Sequence, residues 1–314
     1  MRKIAIATLL TTLTTLTTPE VFSKSWIDEI NKITKSSVSS ILELDNKLKT
    51  SAKLKEIEHM IDSDIDPEKT RVLLVWINKY KLINNLDTSR NDVREMRNFL
   101  ISRYKIKESN IVVLTDQRAT KRQILRQMRR LSADTPDDKK MIIFFSWHWI
   151  ALDKKSCEVK DFKKIKYEWY ISSYESDMDY SPKIDNDIYY KKTWISRREI
   201  NSAVWAHQKN LLILDACFWW AMTKWSKPNE IIISASDKEI AIARAQTNSK
   251  MSLFSNAVFE TISWNKKSLW NWVLEAKLKV DEKAKLADSP QEPIIKANRT
   301  TYYVRKNKLE QVSD

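Results

Sequence analysis

The sequence predicts an α/β fold in which a doubly wound, mostly parallel β-sheet carries helices on both faces. Two unbroken apolar runs, at 141–145 and 211–214, are typical of strands that are covered on both sides in such a sheet. Around these runs, amphipathic segments with helical spacing alternate with further short apolar runs. That alternation favours parallel strands joined by helical crossovers.

The N-terminus has the features of a secretion signal. Basic Arg2 and Lys3 precede an apolar stretch, and small residues follow up to Ser23, so we expect a signal peptide over residues 1–23. The apolar stretch is too short to span a bilayer permanently. We expect a secreted or periplasmic protein, with membrane anchoring by an uncleaved leader as the alternative.

Three further segments follow the leader. Residues 24–68 are polar with scattered apolar positions, which predicts a helical N-terminal extension that ends near Pro67. The main domain is expected over residues 69–307, and residues 308–314 are expected to be a tail. Within the main domain, the polar stretch at 150–194 is too long for an ordinary connection and so is expected to be a functional insertion.

The expected strands of the main domain are short apolar runs. They lie at 71–77, 111–114, 141–145, 211–215, 231–235 and 301–305. The expected helices show apolar residues on one face, as Ile124, Leu125 and Met128 do, or begin with a capping box, as Ser196 and Glu199 do. These helices lie at 91–104, 120–131, 196–204, 251–262 and 268–286.

Two of the strands lead into residues that can do nucleophilic chemistry. His148 follows the strand at 141–145, and Cys217 follows the strand at 211–215. In parallel sheets the ligand crevice lies beyond the carboxyl ends of the strands, so these side chains can meet there. Such a pair suits a cysteine nucleophile with a histidine base. The alternative for Cys217 is a buried structural thiol.

Cysteine and histidine are scarce, which narrows the candidates. The chain has two cysteines, and a disulfide between Cys157 and Cys217 would block the nucleophile. We therefore interpret Cys217 as a free functional thiol and Cys157 as an incidental loop cysteine. Of the 3 histidines, His59 lies in the N-terminal extension and His207 precedes its strand, so His148 is the best placed base.

The net charge of +14 does not by itself indicate a nucleic-acid partner. The lysines are spread along the whole chain with acidic residues between them, and no RNA- or DNA-reading motif is present. We expect no specific nucleic-acid binding.

The chain has no glycine and 13 tryptophans, whereas glycine is ordinarily about 7% of residues. Several tryptophans stand where a strand meets a turn, which is a place that glycine normally occupies; they are Trp76, Trp147, Trp149, Trp219 and Trp220. We hypothesise that many of them stand for glycine, through a UGA codon that the source organism reads as glycine. The alternative is a naturally tryptophan-rich chain.

Six segments, in order, resemble the motifs of the caspase-like cysteine peptidases, in the metacaspase and bacterial orthocaspase branch of peptidase family C14. The segments are 75–78, 91–93, 144–149, 170–177, 214–218 and 233–236. In three of these motifs, the mismatch is a tryptophan where the family has glycine. The resemblance covers roughly residues 69–307 and implies a caspase-like peptidase domain that is an active cysteine endopeptidase. The alternative is a catalytically inactive pseudoprotease that acts as a binding module.

The resemblance also implies the roles of individual residues. Cys217 would be the nucleophile, His148 the base, and the backbone N–H groups of Trp149 and Cys217 the oxyanion hole. Side chains two apart on a strand share a face, so Ser146 faces with His148 and Asp215 with Cys217. By resemblance, the S1 pocket would be lined by Asp92, Ser146 and Asp215 and would select arginine or lysine at P1. The alternative for Asp92 is a helix N-terminal acid that satisfies backbone amides.

The family also carries expectations about cofactors and partners. We expect no required cofactor, with Ca²⁺ as a possible activator bound near Asp177 and Asp179, since oxygen ligands suit Ca²⁺. The alternative for this acidic stretch is a solvated loop. The expected partners are protein or peptide substrates with a basic P1 residue, and the chain is expected to be a monomer.

Overall fold

The structure is a computed structural model, and the chain divides in it into two compact units, Met1–Lys55 and Glu56–Asp314. All the helices and strands with defined bounds belong to the second unit. The structure describes residues 52, 55–57, 59–146, 149–153, 167–176, 192–205, 209–215, 226–235, 250–262, 280, 294–297, 300–305 and 308–312.

The main element is an eight-stranded sheet in which five neighbouring strands are parallel. The parallel strands are β1 (Arg71–Trp76), β2 (Ile111–Thr115), β3 (Lys140–Ser146), β7 (Lys209–Asp215) and β8 (Glu230–Ser234). Three antiparallel strands continue the sheet, namely β9 (Ile294–Ala297), β10 (Thr300–Arg305) and β11 (Lys308–Val312). The strand order is β11-β10-β9-β8-β7-β3-β1-β2, which confirms the mostly parallel α/β sheet.

A second, smaller sheet lies within and beside the expected insertion. It consists of β4 (Trp149–Asp153), β5 (Tyr167–Ile171) and β6 (Ile195–Ser196), all antiparallel. The sequence did not predict these strands, because the polar composition between residues 150 and 194 hides them. Likewise, β11 lies in the segment that we expected to be a tail, so the main sheet extends beyond residue 307.

Four helices pack on the main sheet or close to it. They are α1 (Ser89–Tyr104), α2 (Lys121–Asp134), α3 (Arg197–Ala203) and α4 (Leu253–Ile262). The buried residues of α2 and α3 share one apolar cluster with alternate residues of β1, β3 and β7. Helix α1 contacts β1 and β3 with apolar residues outside that cluster, so helices cover both faces of the sheet.

Local sequence signals explain where two of these helices begin. Thr120 accepts a hydrogen bond from the Gln123 backbone N–H and caps α2. Ser196 and Glu199 form the expected capping box at the start of α3. The expected helix at 268–286 lies outside the described residues, apart from the helical residue Val280.

Burial is complete along the strands that form the centre of the sheet. Every residue of β3 is buried, and so is every residue of β7 after Lys209. This burial accounts for the unbroken apolar runs in the sequence, since neither face of these strands contacts water. In the part of the chain that the structure describes, no helix is long and apolar enough to cross a membrane.

The backbone at two of the strand-end tryptophans does not adopt a conformation that needs glycine. Among the residues with described backbone, positive φ occurs at Asp64, Lys105 and Asp116, and not at Trp76 or Trp149. The glycine hypothesis therefore gains no support from φ at these two positions and stays a prediction. Trp147, Trp219 and Trp220 lie outside the described residues.

Candidate active site

The carboxyl ends of three parallel strands meet at one edge of the main sheet. Ser146 ends β3, Asp215 ends β7, and the two residues are direct partners in the register. Trp76 ends β1 on the other side of Ser146. His148 and Cys217 each follow one of the paired residues by two positions, and both lie outside the described residues.

Asp92 reaches this edge from the first turn of α1. The side chain is fully buried. Its carboxylate accepts a hydrogen bond from the Ser146 hydroxyl at 2.8 Å and another from the Ser252 backbone N–H at 3.1 Å. These hydrogen bonds connect Asp92 to β3 and to the segment before α4, and neither donor is a backbone amide of α1.

Asp215 is held from a different direction, by the beginning of α4. Its carboxylate accepts hydrogen bonds from the Ser252 hydroxyl and from the Ser255 hydroxyl, the latter at 2.5 Å. Ser252 directly precedes α4, and its hydroxyl oxygen accepts the Ser255 backbone N–H at 2.9 Å. The same serine therefore caps the helix and contacts Asp215.

Burial makes both carboxyl groups difficult to ionise. Desolvation is the main cause that raises the pKa of Asp215, to about 6, against the opposing hydrogen bonds from Ser252 and Ser255. Desolvation also raises the pKa of Asp92 well above its ordinary value, and the neighbouring negative charge of Asp215 adds to that effect. Among the ion pairs of the described residues, none involves either carboxyl group. A cation placed beside the two carboxyl groups would favour the ionisation of both.

The structure therefore brings together the three side chains expected in the S1 pocket, which are Asp92, Ser146 and Asp215. It adds Ser252 and Ser255, which the sequence reasoning missed. The signal available for them was a pair of serines three residues apart, in front of the apolar residues Leu253 and Phe254, which is the pattern of a helix start.

The other expected site residues are placed only partly or lie outside the described residues. Trp149 begins β4, where its backbone pairs with Ile171, and its side chain is not described. Asp177 and Asp179, the expected calcium ligands, lie outside the described residues. Among the residues that were placed, no group of three or more His, Cys, Asp or Glu could hold a metal ion.

Residues 70–218 match the family model described as metacaspase, peptidase C14 domain. Over this segment, which is a little less than half of the chain, the sequence is similar to a caspase-like C14 peptidase domain. The matched segment runs from β1 to just beyond β7 and includes Asp92, Ser146 and Asp215, together with His148 and Cys217. The family is one of cysteine peptidases, in agreement with the expected nucleophile chemistry.

Two known proteins match different shares of the chain. Metacaspase-1 of Eremothecium gossypii is 36% identical over 84 residues, which is 25% of this chain and 19% of that protein. The match thus spans about a fifth of the length of this curated relative. A crystal structure of protein GSU0716 from Geobacter sulfurreducens aligns with a TM-score of 0.48 at 11% identity, over 73% of this chain and 92% of the other.

Proposed function

We propose that this C14 domain is a cysteine endopeptidase in which a His148–Cys217 dyad cleaves peptide bonds after arginine or lysine. The observation that carries the proposal is the register pairing of Ser146 with Asp215, because each dyad residue follows one of these partners by two positions. In sequence, both residues therefore follow neighbouring strands whose carboxyl ends lie at one edge of the sheet, and ligands bind at that edge in parallel α/β folds. Cys217 would attack as a thiolate, which His148 generates or maintains.

The choice of a basic P1 residue rests on the charge of the pocket. Asp92 and Asp215 are buried, and no described ion pair neutralises them. An arginine or lysine side chain supplies the missing positive charge and can form charge-assisted hydrogen bonds with the carboxylates. An aspartate at P1 would instead add a third acidic group to the same buried site.

The tryptophans beside His148 favour a second candidate function. In the oxyanion hole that we propose, the backbone N–H groups of Trp149 and Cys217 stabilise the transition state. If positions 147 and 149 are tryptophans in the natural protein, two large side chains flank the proposed base. A catalytically inactive domain that binds proteins through the same groove would tolerate this crowding.

Location, calcium activation and oligomeric state belong to the proposal as well. The basic and apolar leader at 1–23 supports export, with an uncleaved anchor as the alternative. The acidic residues Asp177 and Asp179 support Ca²⁺ as an activator, with no cofactor required. We propose a monomer.

Cleavage of a matched peptide series tests the function. Four fluorogenic peptides that differ only at P1 carry arginine, lysine, citrulline or aspartate. We expect turnover of the first two, and a loss on the order of a thousandfold or more in Cys217→Ala and His148→Ala. The matched controls Cys157→Ala and His207→Ala should keep the wild-type rate.

Each alternative gives a different result in this experiment. No turnover of any peptide by folded protein with an intact Cys217 thiol would favour the binding module. Cleavage after aspartate would overturn the assignment of the S1 pocket and leave the dyad standing. Equal losses in the Cys217 and Cys157 variants would overturn the choice of nucleophile.

A further inference from the structure

Ser252 contacts both acidic groups of the pocket. Its backbone N–H donates to the Asp92 carboxylate at 3.1 Å, and its hydroxyl donates to the Asp215 carboxylate. Ser255, one helical turn further on, donates a second hydroxyl to Asp215 at 2.5 Å. All these groups are buried, so the start of α4 packs against the same acidic cluster as α1, β3 and β7.

No cation from the described elements faces the two carboxyl groups. On β3 and β7 the neighbouring polar groups at this edge are Ser146 and Asp215 themselves. On α1 and before α4 the nearest basic residues along the chain are Arg90, Arg94 and Lys250, and all three are exposed. Lys250 approaches α1 through its backbone carbonyl, which accepts the Asn91 side-chain amide at 2.7 Å.

We infer that Ser252 and Ser255 complete the S1 pocket as specificity-determining residues. Before substrate binds, the Asp92–Asp215 pair holds one proton, and a basic P1 side chain displaces that proton. This inference rests on the proposed function. Two buried carboxyl groups in one site ionise together only at raised pH unless a positive partner is present. When a guanidinium or ammonium group enters, the shared proton leaves to solvent, both carboxylates become charged, and no bond of the substrate is broken.

The raised pKa of both groups supports this exchange. Binding that releases one proton becomes up to tenfold tighter for each pH unit, until the empty pair has itself lost the proton. The affinity for a basic peptide should therefore rise with pH and level off above the pKa of the pair. A peptide with citrulline at P1 has nearly the same shape but no charge, so its binding should release no such proton.

The hydroxyl groups of Ser252 and Ser255 determine the pH at which the affinity for the basic peptide levels off. They donate to the Asp215 carboxylate and so favour its ionised form. Removing the Ser255 hydroxyl should raise the pH at which affinity levels off by about one unit, since a hydrogen bond to a charged group is among the stronger ones. The Ser255 backbone N–H, which contacts the Ser252 hydroxyl at the helix start, is kept in Ser255→Ala.

Isothermal titration calorimetry on the full-length Cys217→Ala protein tests the inference without turnover. Titrations with the arginine and citrulline peptides, in buffers of different ionisation enthalpy between pH 5 and 8, count the protons released. We expect the arginine peptide to release up to one proton more than the citrulline peptide, with the excess falling once the pH passes the pKa of the pair. Any proton exchanged by His148 cancels in this comparison.

Three variants separate a specific role of the serines from a general one. Ser255→Ala should raise the pH at which affinity levels off, and Ser255→Thr should restore it because the hydroxyl is kept. Ser202→Ala, at an exposed position of α3, should leave it unchanged. If the arginine peptide binds more tightly than citrulline but releases no excess proton, the exchange is refuted and the proposed function stands. If arginine gives no advantage over citrulline at any pH, the proposed basic specificity itself fails.

Discussion

Replacing Asp215 with asparagine should stabilise the protein while it removes cleavage after arginine. The Asp215 pKa is raised from 3.8 to about 6, mainly by burial, and a shift of about two units corresponds to about 3 kcal/mol. A carboxyl group with a raised folded-state pKa keeps its proton up to a higher pH in the folded chain than in the unfolded chain. Through Asp215, the free energy of unfolding of the wild type should therefore fall as pH rises from about 4 to about 6. Above about pH 6 the folded chain bears the full cost of burying the ionised carboxylate.

Asparagine cannot ionise, so Asp215→Asn lacks this penalty. Urea unfolding of the full-length wild type and variant at pH 7 should give the variant a free energy of unfolding up to about 3 kcal/mol higher. At pH 4 the two proteins should differ little, because the wild-type carboxyl group is then largely protonated in the folded state. Turnover of the arginine peptide should fall sharply, since one of the two negative charges of the pocket is gone.

A control with the opposite sign is available in Asp66. Its exposed carboxylate accepts the backbone N–H groups of Glu68 and Lys69, and these hydrogen bonds lower its pKa. Asp66→Asn should therefore lose stability at pH 7 relative to wild type. The reasoning about the pocket is refuted if Asp215→Asn is no more stable than wild type at pH 7, or if its gain is as large at pH 4.

Three further predictions concern other parts of the chain. Burial lowers the pKa of Lys140 to about 7, so above that pH the unfolded chain binds more protons than the folded chain does. The free energy of unfolding of the wild type should therefore rise from pH 7 to 9. Urea titrations of Lys140→Met should lack this rise. The double variant Trp147→Gly, Trp149→Gly should cleave faster than the tryptophan form, and UGG codons at both positions in the gene would refute the glycine hypothesis. The insertion at 150–194 contains several lysines, so the enzyme should slowly cleave its own chain there. Intact-mass spectrometry should show the fragments in wild type and not in Cys217→Ala. Equal amounts of fragment in both proteins would indicate a contaminating protease.

The parallel strands of the main sheet could be predicted from the sequence because burial on both faces requires consecutive apolar residues. Strands β1, β3, β7 and β8 each carry consecutive apolar residues, and the structure places all four at the centre of the sheet. In contrast, β11 has the polar sequence Lys-Leu-Glu-Gln-Val, and its place is decided by pairing with β10. Pairing of that kind depends on distant segments and leaves little trace in local composition.

The candidate site was predictable to the extent that its residues end strands or begin helices. Ser146 and Asp215 could be placed from the strand pattern, and the family resemblance added Asp92. Ser252 was missed because its role comes from a tertiary contact with a carboxyl group 37 residues away along the chain. Its local pattern predicts a helix cap, which is correct but does not reveal the second function of the hydroxyl.

Covalent labelling of the full-length protein with an electrophilic arginyl peptide tests the central claim most directly. An intact mass followed by peptide mapping should show one adduct, located on Cys217, and no adduct with the matched aspartyl probe. Labelling should disappear in Cys217→Ala, weaken strongly in His148→Ala and persist in Cys157→Ala. An adduct on Cys157, or equal labelling by the arginyl and aspartyl probes, would contradict the account of a basic-specific cysteine peptidase.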